Sequence, residues 1–225
     1  MPSTVSTSGA SLQAPLRDQI HHYPARLIDT RSGTGGRRFT LRPVLPQDDL
    51  LLAELVAGLS AEARRNRFFG AVNLSLAHLR QMSNVDYRQQ MGLVVTTQLH
   101  GRERVVADAR YCIEAGGGNG AELALMVDER WQRQGLGQWA LQSLQQAASQ
   151  AGLTWLHGAV QCGNGPMLSL VQRCGFATSP DPDDDLLMKV QHRLNASSVS
   201  APARPRGMQG WLRRAWPGLA SNPAS

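Results

Sequence analysis

The chain has 225 residues, 42% of them apolar and 18% charged, with a formal net charge of +6. That suits one ordinary domain with tails, and no apolar run reaches the roughly 18 residues of a membrane span, because Glu54 interrupts LLLAELVAGL. The positive charge is not a basic face for nucleic acid: residues 38–195 hold fifteen Arg or Lys and fifteen Asp or Glu, and the excess lies in the two ends.

In chain order, residues 1–36 are rich in Ser, Thr, Gly and Pro and have no apolar core of an export signal. They are expected to be a flexible lead-in. FTLRP alternates apolar and polar residues as a strand does, and DDLLLAELVAGLS then takes helical spacing. LSAEARRNRFF and LSLAHLRQM read as further helical turns, and MGLVVTT as a short strand. In RVVADARYCI, Val105, Ala107, Ala109, Tyr111 and Ile113 form one face, with Asp108 and Arg110 on the other. That pattern predicts a half-buried strand. GGGNG marks a hairpin turn and AELALMV the returning strand.

After WQRQGLG, apolar residues recur at Leu136, Ala140, Leu144, Ala147 and Ala151, a helix closed by Gly152. TWLHGAV is a strand, GPMLSLVQRCGF a short helix ended by Gly175, and DLLMKVQHRL a final strand. Antiparallel strands followed by interleaved helices predict one α/β (α+β) domain over residues 37–195. Residues 196–225 read as a disordered basic tail, except that GWLRRAW sets two tryptophans around two arginines. That segment is a candidate for contact with an anionic membrane, against the plainer reading of a disordered tail with a sticky patch. Cys112, Cys162 and Cys174 form no C-x-x-C pair, so neither a metal site nor a disulfide framework is expected, and a reduced cytoplasm fits.

The two glycines of WQRQGLG sit between a strand and a helix start, where bare backbone N–H groups and the helix dipole favour an anion. Without a Cβ, Gly135 and Gly137 would let that anion approach, and Arg133 adds a possible ionic contact. By themselves these features specify only a phosphate-like ligand.

The wider pattern is more specific. AELALMV-DERW-QRQGLG with its amphipathic helix resembles motif A of the GNAT acetyltransferase superfamily, Q/R-x-x-G-x-G/A. VQCGNGPMLSLVQRCGF resembles the following motif B. FTLRPVLPQDD, LSAEARRNRFFG and NVDYRQQMGLVV further resemble the catalytic domain of Pat-type bacterial protein lysine acetyltransferases, with Arg67–Phe69 as the Arg-Phe-Phe element. The resemblance implies a GNAT fold, a mixed central sheet of six to seven strands flanked by about four helices.

It also implies acetyl-CoA as co-substrate, with no metal. Its pyrophosphate would lie on Gln132, Arg133, Gln134, Gly135, Leu136 and Gly137, and its pantetheine arm along Leu125, Met126 and Val127. Asn164 would bond the coenzyme or cap the next helix. Glu122 occupies the family's position for a general base, against the plainer reading of an exposed or arginine-paired carboxylate. A base is needed: at pH 7 a lysine amine is neutral about once in 2,500 molecules, an opposition of about 4.6 kcal/mol.

The sequence departs from many family members by placing Val171 where they carry a tyrosine acid, so no general acid is assigned. His157 is read as a sheet histidine before a proton relay, Cys162 as packing before a nucleophile, and Asp181 to Asp185 as a solvated turn. The acceptor expected is a protein lysine; a small amine, or a non-catalytic acyl-CoA-sensing role, are the alternatives.

Overall fold

The computed structural model describes residues 22–69, 74–114 and 119–194. The Trp-Arg segment of the tail and most of the glycine run after Glu114 lie outside the described residues, so the readings made for them end with the sequence.

Eight strands form one sheet, in the order β1-β2-β3-β4-β5-β6-β8-β7. The strands are β1 (Asp29–Ser32), β2 (Arg38–Pro43), β3 (Gln90–Leu99), β4 (Arg102–Ile113), β5 (Gly120–Val127), β6 (Trp155–Gln161), β7 (Ala177–Pro180) and β8 (Leu187–Arg193). Helices α1 (Asp49–Gly58), α2 (Ala61–Phe68) and α3 (Leu76–Ser83) come before β3. Helix α4 (Leu136–Gln150) links β5 to β6, and α5 (Gly165–Arg173) links β6 to β7. All neighbouring strands are antiparallel except β5 and β6.

The expected class and most elements are present; among the described residues there is one more strand than the upper estimate, and the sheet is flanked by the five helices named above. The additions are edge strands. β1 falls inside the stretch expected to be a lead-in and pairs with β2 from Asp29↔Leu41 to Ser32↔Arg38. Gly35 and Gly36, whose glycine content suggested a linker, take φ of 68° and 72° in the turn joining the two strands. β7 is four residues long and too polar to show a pattern.

Two apolar cores lie on opposite faces. On one, α4 buries Trp139, Ala140, Leu141 and Leu144 against Leu41, Leu93, Ala109 and Tyr111. On the other, α1 and α3 bury Leu52, Leu55, Leu79 and Met82 against Val94, Val105 and Met126. β4, expected to be half-buried, is therefore buried on both sides. Asp108 is 0% exposed and Arg110 5%. They tolerate this by pairing: Arg110 Nε donates to Asp108 Oδ2 at 2.9 Å, its Nη2 donates to Oδ1, and its Nη1 donates to the Met82 carbonyl at 3.1 Å. The irregularity at Val95/Thr96 also shifts the register. Hence Val105 joins the second core rather than the Ala107 face.

A second buried pair fixes α1 to the sheet. Asp48 accepts from Arg42 Nη1 and Nη2 at 2.7 and 2.8 Å and from the Leu45 amide at 2.7 Å. Asp48→Ala would leave the largely enclosed Arg42 guanidinium with only its longer contacts, to Glu103 Oε1 and the Pro43 carbonyl at 3.3 Å each. The variant is expected to lose about 3 kcal/mol of stability, read as a lower urea midpoint with unchanged slope.

Candidate active site

The site is made by strands that part. β5 and β6 pair in parallel only at Gly120↔Trp155, Ala121↔Leu156 and Glu122↔His157. Beyond Glu122 the β5 edge facing β6 has no strand partner among the described residues, while β4 continues to pair along the other edge as far as Val127. Gly158 holds the fork tight at its root: a Cβ there would lie 3.2 Å from the Leu123 carbonyl oxygen. At the mouth, Gln161 Nε2 donates to the Arg65 carbonyl at 3.3 Å, tying the end of β6 to α2.

A groove of about 460 Å³ fills the opening. Leu125, Met126 and Val127 of β5 line it, as do Gln132, Arg133, Gly135, Leu136 and Gly137 of the following loop and helix start. Asn164 closes it from the N-terminus of α5. Gln134 is exposed and is not part of this lining. Glu122 lines a smaller adjoining cavity of about 50 Å³ at the fork, with Arg67, Leu125, Asn164, Met167 and Val171 on its walls.

The start of α4 has the character expected of an anion cradle. Its N-cap is Gly135 and no side chain caps it. The first helical bond runs from the Trp139 amide to the Gly135 carbonyl at 2.9 Å, leaving the amides of Leu136, Gly137 and Gln138 at the helix mouth. No acidic residue occupies the first turn, so no carboxylate of that turn neutralises the positive end of the dipole.

The two glycines act differently from the shared role expected of them. Gly135 needs its φ of 78° and faces open space. Gly137 is required by packing: a Cβ would stand 3.1 Å from Leu170 Cδ2 and 3.3 Å from Val127 Cγ2. It seats the helix against β5 and α5 rather than clearing space for a ligand. Gln132 turns its amide back to donate to the Val127 carbonyl at 3.2 Å, fixing the loop to the strand end.

Glu122 lies on β5 opposite Cys112 of β4 and beside His157 of β6. By strand alternation it shares a face with Ala124 and Met126, the face covered by α2 and the second core. His157 is 9% exposed, and its Nε2 lies 3.4 Å from Glu114 Oε1. Asn164 caps α5, its Oδ1 accepting from the Met167 amide at 3.2 Å. Cys162 is exposed in the turn after β6, where its Sγ donates to the Asp185 carbonyl at 3.5 Å. Val171 is buried in the first core.

Three groove residues had no signal of their own. Gln138 and Arg173 line it from α4 and α5, but helical spacing does not say which helix end returns to a cleft. Arg67 was visible only as part of a family likeness. It is 7% exposed and lines both cavities. Burial lowers its pKa to about 10; Asp108 and Glu122 oppose that fall, and Arg110 adds to it.

The chain belongs to the Acetyltransferase (GNAT) family, whose model matches residues 65–176. It is a GNAT-family acetyltransferase. Over 162 residues it is 30% identical to an acetyltransferase of Pseudomonas aeruginosa, covering 71% of this chain and 84% of the relative. It is also 30% identical over 140 residues to Acetyltransferase Pat of Mycolicibacterium smegmatis, covering 62% of this chain but only 41% of that longer protein. In fold it matches the GNAT domain of S. lividans PAT with a TM-score of 0.68 at 21% identity, covering 76% of this chain and 99% of that one. The likeness to Pat-type catalytic domains is thus borne out.

The Gly135 conformation sets a test of the cradle. Gly135→Asn, which tolerates a left-handed backbone, is expected to fold with near-native stability. Gly135→Val is expected to lose about 1–2 kcal/mol by urea denaturation, although nothing crowds its side chain.

Proposed function

We propose that this enzyme transfers the acetyl group of acetyl-CoA to a primary amine, that of a protein lysine, with Glu122 as general base. The observation that carries the reading is the open edge of β5: it leads from the uncapped helix mouth to the cavity that holds Glu122. The residues present fit the coenzyme. A flexible, hydrogen-bonding arm can lie against a strand edge that no other strand occupies, and a diphosphate suits a helix N-terminus free of acidic residues. Arg133 and Arg173, both lining the groove, add positive charge for phosphate groups.

Acetyl-CoA supplies the thioester, an acetyl carbon already activated toward attack. The protein's tasks are to hold it and to free the acceptor's lone pair. The amides of Leu136, Gly137 and Gln138 bind the phosphates, and the backbone of Leu125, Met126 and Val127 aligns the arm. Glu122 accepts a proton from the incoming ammonium, directly or through one water. The amine nitrogen then bonds to the acetyl carbon, the carbon–sulfur bond breaks with the electron pair leaving on the thiolate, and the nitrogen releases its second proton to water to give the amide. Asn164 acts by capping α5, so the helix end facing the groove stays ordered. Val171 cannot donate a proton, and a thiolate of pKa about 8.5 leaves without one. For the acceptor, the support is the resemblance of the front half of the chain to Pat-type protein lysine acetyltransferases.

The test compares wild type with Glu122→Gln, using acetyl-CoA and a mixture of folded proteins, with acetyl-lysine read by mass spectrometry. The variant is expected to bind acetyl-CoA as wild type does in calorimetry and to acetylate at least about 100-fold more slowly. Equal rates would remove Glu122 as the base. Turnover on free polyamines or amino acids, with none on proteins, would replace the lysine acceptor by a small amine.

A further inference from the structure

The mechanism so far leaves the most enclosed charge in the groove wall without a task. Arg67 sits in the last turn of α2, which packs directly on β5, and lines both the groove and the inner cavity with Glu122. On the same face of the sheet, Asp108 spends both carboxylate oxygens on Arg110. Those two charges cancel. Arg67 is a second buried cation beside them, acted on by Asp108 and by Glu122, and Glu122 is the second carboxylate of the cluster. Were Glu122 protonated, the enclosed set would carry a net positive charge, which a low-dielectric surrounding strongly disfavours.

We propose that Arg67 is a positioning residue, holding the Glu122 side chain ionised within the inner cavity so that the base is ready when the acceptor amine arrives. The inference rests on Glu122 being the base.

The groups that face Glu122 from each packed element can be named. From β4 come Cys112 directly opposite, then Arg110 and Asp108 further along the same face. From β6 comes His157, whose Nε2 is turned to Glu114 Oε1. From α2 comes Arg67, which feels the Glu122 charge. From α5 and β8 the cavity receives only Met167, Val171 and Val190, which carry no charge. Arg67 is thus the guanidinium that shares the inner cavity with Glu122, and the charges of Asp108 and Glu122 both act on it. A cation beside a carboxylate lowers its pKa by about one to three pH units, whereas enclosure alone raises it. The sign follows: the base works only when ionised, so its activity is present above its pKa and lost as pH falls through it. Removing Arg67 must move that acid limb to higher pH.

The experiment uses the full chain and measures kcat/KM for lysine acetylation across pH. Arg67→Met, which fills similar volume without charge, is expected to move the acid limb up by at least about one pH unit. Arg67→Lys, which restores a cation but not the planar fork, is expected to bring the limb back toward the wild-type position even if kcat falls. An acid limb unmoved in Arg67→Met, with Glu122→Gln still inactive, overturns the role of Arg67 and leaves the base standing. A fully active Glu122→Gln instead overturns the base, and this inference with it.

A merely structural arginine would change kcat or stability but leave the limb in place. Should Arg67→Met fail to fold, the wild-type protein still decides. Carbon-13 titration of the Glu122 carboxyl is expected to show it ionised at pH 6, and a carboxyl still protonated there overturns the proposal.

Discussion

The site depends on a failure of hydrogen bonding. After Glu122 and His157, β5 and β6 stop pairing, and the β5 backbone is left with one satisfied edge and one open edge. Open strand edges are costly and are usually blunted or covered. Here the opening is confined to a few residues, pinned at its root by Gly158 and bridged at its mouth by Gln161. The groove, the placement of Glu122 beside it and the exposure of the α4 terminus all follow from where the parallel pair ends.

The two cores make that opening affordable in structural terms. A sheet buried on both faces by α4 and by α1 with α3 stays rigid up to the fork, because each face is close-packed. Within it two ion pairs are enclosed, Arg42 with Asp48 and Arg110 with Asp108, and His157 stands beside Glu114. Burial of charge on this scale adds little stability by itself, but it fixes which groups stand near the carboxylate and with what sign.

Much of this was legible in the sequence, for physical reasons. Helix α4 could be read because Leu136, Ala140, Leu144 and Ala147 recur at helical spacing between two glycines with positive φ, Gly135 and Gly152. The strand identity of β5 and the helix-mouth site were visible for the same reason: local pattern, local structure. What was hidden depends on distant partners. Asp108 and Arg110 look like a solvated face until α3 is known to cover them. β1 looks like linker because its turn glycines dominate a short polar strand. The two meanings of Gly135 and Gly137, one of backbone dihedral and one of packing, cannot be separated without knowing that Leu170 and Val127 press on the second. Arg67 needed the fold to reveal that it and Glu122 share a cavity.

The missing side-chain cap on α4 has a thermodynamic corollary. A helix start of this kind forgoes the few tenths of a kcal/mol by which a serine or aspartate cap exceeds a glycine cap. Such a residue would also compete for the same amides with any incoming anion. The native fold is therefore incomplete at one terminus by construction, and whatever occupies that terminus also stabilises the whole chain. By mass action, a ligand present at a hundred times its dissociation constant would raise unfolding free energy by about 2.7 kcal/mol, so the melting temperature of this enzyme would report any anion that settles there.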